Sequence, residues 1–191
     1  MNPYNMLHIE PGVIPTEIID VFFSLKDNRY VPASQGVGGS IVNDYRVADH
    51  IELPADVHEN TIGTIGRIHE VILKDVFNTT LKSVSDIQFL KYGVGGKYDV
   101  HADGEIFEDG KFKRAVNRDI SIVLYLNDNY EGGSIEFPLL GVTVKPQAGM
   151  MLAFPSYHEF SHIVHPVTSG DRYCLVCWIE TENKIYERED S

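Results

Sequence analysis

The chain has 191 residues, 43% of them hydrophobic and 23% charged, which fits one globular domain with its own core and argues against a disordered chain. Acids outnumber bases 28 to 16, for a net charge of −12; binding through nucleic-acid phosphates needs clustered Lys and Arg, so no nucleic-acid partner is expected. No apolar run reaches membrane-spanning length, and the polar start Met1-Asn2-Pro3-Tyr4-Asn5 lacks the form of a signal peptide, so no membrane association and a cytoplasmic location are expected.

The first half reads as helical. Apolar residues at Ile18, Ile19, Phe22, Phe23 and Leu25, behind Pro15, predict a helix over 16–26. A glycine-rich polar stretch over 34–40 predicts a loop. A second helix is expected over 56–77, where Val57, Ile62, Ile65, Ile68, Val71, Ile72, Leu73 and Val76 keep mostly helical spacing. Gly63 and Gly66 weaken its early turns.

The second half changes period. The stretch 87–92 reads as a strand and 93–96 as a turn. Residues 120–126 (Ile-Ser-Ile-Val-Leu-Tyr-Leu) are apolar enough for a strand buried on both faces, and 127–133 form a turn. Further strands are expected over 134–138, 142–144, 150–154, 162–167 and 172–180. Many short strands separated by turns favour a sandwich, jelly roll or barrel. The expected class is therefore mainly β, with N-terminal helices buttressing the core. Cys174 and Cys177 have Cys-x-x-Cys spacing, but they fall on a strand, where positions three apart face opposite ways. They read as buried, inert thiols. The basic run 111–114 (Lys-Phe-Lys-Arg) reads as a solvated loop.

Candidate chemistry begins with His101-Ala102-Asp103. On a strand, positions i and i+2 share a face and both can reach one metal. Two His and one carboxylate leave coordination positions open, a ligand set suited to non-haem Fe(II). A third ligand could come from His158, His162 or His165, and residue chemistry alone does not choose among them. Arg172 adds a permanent charge in a β-rich stretch. It needs an anionic partner, either a bound dicarboxylate or an acidic side chain.

Residues 89–179 resemble the 2-oxoglutarate- and Fe(II)-dependent dioxygenases, in their prolyl 4-hydroxylase-like branch. The resemblance rests on an ordered series. It runs from Tyr92 and Gly96-Lys97-Tyr98 through His101-x-Asp103, Arg118-Asp119-Ile120-Ser121 and Leu124-Tyr125-Leu126-Asn127. It continues with Gly132-Gly133-Ser134-Ile135-Glu136-Phe137-Pro138 and Val144-Lys145-Pro146-Gln147-Ala148-Gly149. It closes on Phe154, His162, Pro166-Val167, Gly170, Arg172 and Trp178.

The resemblance implies a double-stranded β-helix, a jelly-roll-like core, within a single oxygenase domain over 1–191. Residues 1–86 would be a mostly helical support, 87–180 the catalytic core and 181–191 a polar tail. It implies His101, Asp103 and His162 as ligands of Fe(II), His162 being chosen because Pro166-Val167 follow it at the family's spacing. It implies Arg172 as the anchor of 2-oxoglutarate, with Tyr92 and Tyr125 assisting, Tyr98 on the substrate side and Trp178 beneath the site. The implied activity is hydroxylation of an unactivated C–H bond, with O2 as co-substrate, succinate and carbon dioxide as products and ascorbate as reductant. A prolyl residue in a peptide or protein is the leading substrate; a free amino acid or other small molecule is the alternative, and a non-catalytic β-barrel binding domain is the other class. Asp103 favours hydroxylation over halogenation, because related halogenases lack that carboxylate. The segment 104–117 would leave the mouth of the barrel as a lid or a surface loop. The sequence carries no signature of oligomeric state.

Overall fold

The computed structural model describes residues 6–33, 44–85 and 87–185. The loop expected over 34–40 lies outside them, as does most of the expected polar tail. In chain order the first elements are β1 (His8–Glu10), α1 (Thr16–Ser24), β2 (Tyr30–Pro32), β3 (Arg46–Val47), β4 (Asp49–Ile51) and α2 (Ala55–Ile68). A π turn (His69–Leu73) joins α2 to α3 (Lys74–Phe77), so the expected 56–77 helix is one run with a widened turn inside it. It stops at Asn78, whose left-handed φ of 51° ends the helical hydrogen bonding.

Strands then dominate. They are β5 (Leu81–Val84), β6 (Gln88–Tyr92), β7 (Lys97–His101), β8 (Glu105–Glu108), β9 (Lys111–Arg114) and β10 (Ile120–Tyr125). After them come β11 (Glu131–Gly132), β12 (Ile135–Phe137), β13 (Val142–Val144), β14 (Met151–Pro155), β15 (His162–Val164), β16 (Val167–Ser169) and β17 (Arg172–Thr181). The larger sheet has the order β1-β14-β10-β17-β6-β4-β2, with β5 also on β17; the smaller has the order β13-β12-β15-β7-β3. Every ladder in both is antiparallel. This is the mainly β architecture expected from the strand spacing, in the jelly-roll-like form that the family resemblance implies.

The two sheets meet through aromatic contacts. Phe137 of β12 packs edge-on against Phe154 of β14, with centroids 4.9 Å apart, and Phe154 packs against the His162 ring of β15 at the same distance. All six residues of β10 are buried, which is why that stretch reads as a continuous apolar run rather than an alternating one. On the outer face of the larger sheet, α1 sets Phe22 against Phe89 of β6 and Phe23 against Tyr173 of β17. Each large apolar side chain buried in this way contributes roughly 1.5–3 kcal/mol. Among the described residues no helix is long and apolar enough to cross a membrane.

Three features depart from the sequence reading. The described part of the first 86 residues contributes five short strands besides its helices, and these are too short for a period-2 pattern to register. The segment 104–117 is a β-hairpin, β8–β9, rather than an irregular loop. Its turn is Asp109-Gly110, both at positive φ (53° and 80°), as a two-residue hairpin turn requires. The basic run 111–114 is therefore a strand. Lys113 pairs with Glu108 and Asp109, and Arg114 with Asp119.

Cys174 and Cys177 are both free and buried on β17, and burial pushes both thiols up from their ordinary range. A thiol-reactive disulfide reagent is expected to label neither in the native protein and both after unfolding; rapid native labelling, measured optically, would contradict the buried placement.

Candidate active site

The centre of the site is a cross-strand pair. β7 and β15 run antiparallel with His101 opposite His162, the last residue of one strand facing the first of the other. The two imidazole centroids are 4.3 Å apart. Each ring is oriented the same way: Nδ1 of His101 bonds the Asp99 carbonyl at 2.8 Å, and Nδ1 of His162 bonds the Phe160 carbonyl at 3.1 Å. A carbonyl only accepts, so both Nδ1 atoms carry a proton and the Nε2 atoms are the ones left for a ligand. That is how metal-binding histidines are usually oriented. Burial, reinforced by neighbouring His101, pushes His162 down to about 4, so its ring is neutral near pH 7.

Asp103 lies just beyond the end of β7, not on the strand as the i, i+2 argument assumed. It still meets His101, with Oδ1 3.4 Å from Nε2. Its other oxygen accepts a 2.6 Å bond from the hydroxyl of Ser121 on β10, which is 2.8 Å from the Ser156 hydroxyl. Burial opposes ionisation of Asp103, but His162, His101 and Ser121 outweigh it and hold the carboxyl below the usual range. Arg118 donates to the Asp103 carbonyl at 3.2 Å, and its guanidinium lies 3.5 Å over the Trp178 ring. Trp178 thus supports the backbone of the carboxylate.

Candidate ligand atoms of His101, Asp103 and His162 all lie within 4.8 Å of one another. The other two histidines have different partners. His165 Nε2 is 2.7 Å from Glu136, and His158 pairs with Glu105 at 3.2 Å. Glu105, His158 and Glu159 form a second compact group. Its ion pairing, and the stacking of Phe112 on His158 at 3.8 Å, account for it as the anchor of the β8–β9 hairpin.

Arg172 begins β17 opposite Tyr92 of β6 and is 1% exposed. Its guanidinium lies 4.7 Å from the Tyr92 centroid and 5.1 Å from that of Tyr125. Among the described residues it has no carboxylate partner; it approaches Cys174 Sγ at 3.5 Å and lies near the Tyr125 and Tyr130 phenols, and its Nε has no partner. The Tyr125 hydroxyl is likewise buried without a partner. Burial raises that phenol, against the opposing charge of Arg172, so it remains a protonated donor. A buried cation without a counter-ion is costly, and a bound anion removes the cost. The sequence reading missed Tyr130, whose hydroxyl is buried and unpartnered in the same neighbourhood; it stands in a turn with no periodic signal.

Tyr98 stacks on His101 with centroids 3.5 Å apart and lines a cavity of about 530 Å³ that contains His101, Asp103 and Arg118. The hairpin forms its rim with Ile106, Phe107 and Phe112, and Phe107 is 66% exposed. An antiparallel jelly roll enclosing two imidazoles, one carboxylate and a separate buried guanidinium has the donor set of a candidate non-haem metal centre.

Residues 87–180 match the model of the 2OG-Fe(II) oxygenase superfamily. A PKHD-type hydroxylase of Hyphomonas neptunium is 36% identical over 96 residues, covering 48% of this chain and 41% of that protein. The chain spans less than half the length of the first curated relatives it matches. Among solved structures, a Pseudomonas putida prolyl-4-hydroxylase aligns with a TM-score of 0.68 at 21% identity, over 93% of this chain and 94% of that one. A Trichoplax adhaerens prolyl hydroxylase in complex with a hypoxia inducible factor peptide fragment aligns with a TM-score of 0.71 at 18% identity, over 93% and 84%. The similarity to the 2OG-Fe(II) oxygenase superfamily thus lies in residues 87–180, the part of the chain that holds the candidate ligands and Arg172.

His162→Ala is expected to reduce Co(II) binding, read by its visible absorption, to background, whereas His165→Ala retains it; the reverse pattern would refute the ligand assignment. Ser121→Ala should weaken metal binding by roughly 10–100-fold. Replacing Arg172 with Met should leave the ligand-free protein at least as stable as the wild type, read by its Tm, because it removes an unpaired buried charge.

Proposed function

We propose that this protein is an Fe(II)- and 2-oxoglutarate-dependent dioxygenase that hydroxylates an unactivated C–H bond of a prolyl residue in a peptide or protein. The observation that carries the reading is the pairing of a three-residue candidate metal-ligand cluster with a buried guanidinium that lacks an acidic partner among the described residues. Fe(II) fits the donor set: two imidazole nitrogens and one carboxylate oxygen, with the rest of the metal's coordination left to small ligands. The far carboxylate of 2-oxoglutarate fits Arg172, with the Tyr125 hydroxyl beside it and Tyr92 under the guanidinium. Bound together, iron and the keto acid supply oxygen activation, one oxygen atom entering the substrate and the other leaving in succinate alongside carbon dioxide.

The chain's own residues perform the remaining tasks. His101 and His162 keep Nε2 available as the ligand atom because backbone carbonyls hold their Nδ1 protons. Ser121 orients Asp103, and Arg118 on Trp178 steadies its backbone. Tyr98 occupies the substrate side of His101. In this reading residues 87–180 are the catalytic core and the preceding residues buttress it. The peptide substrate is supported by the open cavity with its apolar rim, and by solved relatives that are prolyl hydroxylases, one of them in complex with a peptide.

The test is incubation of the Fe(II)-loaded protein with 2-oxoglutarate, O2, ascorbate and a panel of proline-containing peptides, with free amino acids in parallel. Stoichiometric succinate and one added oxygen atom on a prolyl residue, seen by mass spectrometry, are expected. Oxygen entering only a free amino acid would move the substrate to a small molecule. An iron-loaded protein that forms no succinate would be a binding domain instead.

A further inference from the structure

Tyr130 lies in the turn between β10 and β11 and is 7% exposed. Its ring and the Arg172 side chain share one space because position 133 has no side chain. A Cβ on Gly133 would lie 3.0 Å from both Cε2 of Tyr130 and Cδ of Arg172. Gly170 makes the same allowance behind the ring, where a Cβ would be 3.2 Å from Cα and Cβ of Tyr130. Both glycines have positive φ, 62° and 77°.

Packing alone does not explain the hydroxyl, since phenylalanine would fill this space equally well. The oxygen is buried with no hydrogen-bond partner among the described residues, a state that folded proteins avoid unless a ligand or water completes it. Two more unsatisfied polar groups stand with it: Nε of Arg172 and the hydroxyl of Tyr125. Burial pushes the Tyr130 phenol up to about 12, against the opposing charge of Arg172, so it holds its proton and is a donor at neutral pH. The guanidinium acts on both phenols, but it has only N–H groups and cannot accept their protons, and neither hydroxyl has an acceptor among the described residues. Two hydroxyl donors and one cation in a single buried space all lack the same thing, an anionic acceptor.

We propose that Tyr130 is a co-substrate-binding residue whose hydroxyl donates to the carboxylate that pairs with Arg172, making the anchor a three-sided clamp of Arg172, Tyr125 and Tyr130. The proposal rests on the 2-oxoglutarate reading above. It adds a donor from outside the two sheets' long strands. The turn after β10 thereby takes part in selecting the keto acid's far end.

The test compares wild type with Tyr130→Phe, both loaded with Mn(II), by titration calorimetry with 2-oxoglutarate and with oxalate, which chelates metal but does not extend to Arg172. Tyr130→Phe is expected to bind 2-oxoglutarate roughly tenfold to a hundredfold more weakly, with Mn(II) affinity, oxalate affinity and Tm unchanged. Unchanged 2-oxoglutarate affinity in Tyr130→Phe would overturn the proposal while leaving the oxygenase reading intact. Equal weakening of 2-oxoglutarate and oxalate would also overturn it, since the residue would then act on the metal site. A wild-type protein that takes up Mn(II) but no 2-oxoglutarate would overturn both.

Discussion

The antiparallel register of β7 and β15 sets His101 directly opposite His162, and the candidate metal site depends on that pairing. A slip of one residue would turn one imidazole to the other face of the sheet. Several features hold the register. β15 is paired on both sides, to β12 and to β7. The irregularity between His162 and Val164 lets the second ring approach the first. Each histidine then uses the carbonyl two residues before it to fix its own tautomer. The larger sheet contributes the third element, because Ser121 of β10 bonds Asp103 across the space between the sheets. The site is a product of sheet pairing more than of any local motif.

Arg172 is a second constraint, and it opposes stability. Its burial at the start of β17 places a permanent charge where no acidic side chain among the described residues meets it. The surrounding Tyr92 and Tyr125 offer ring faces, which offset part of the desolvation. Local rules broken at one place in an otherwise consistent fold are typical of functional sites. The apolar interface of Phe137, Phe154 and Phe160 and the fully buried β10 supply the stability that tolerates it.

The hairpin β8–β9 shows how a local signal can be masked. The Asp109-Gly110 pair between Phe107 and Phe112 is a hairpin signature, but the surrounding charges give the segment the composition of a loop. The charges turn out to be paired with each other and with the barrel. His158, which chemistry alone left as a candidate ligand, serves instead to fasten this hairpin through Glu105 and Phe112.

The sequence by itself determined the mainly β class, the two helical regions, the strands β6, β10, β12, β13, β14, β15 and β17, and the residue types of a non-haem metal site. It could do so because periodicity and turn residues are local properties of the chain. The choice of His162 over His158 and His165 came from the family's motif spacing, not from the chemistry of the residues. Only the tertiary structure decided what depends on contacts between distant segments: the distances within the ligand cluster, the support of Asp103 by Ser121, the unpaired state of Arg172 and the convergence of Tyr125 and Tyr130 on it. These are facts about what a side chain lacks or meets across two sheets, and no spacing along the chain encodes them.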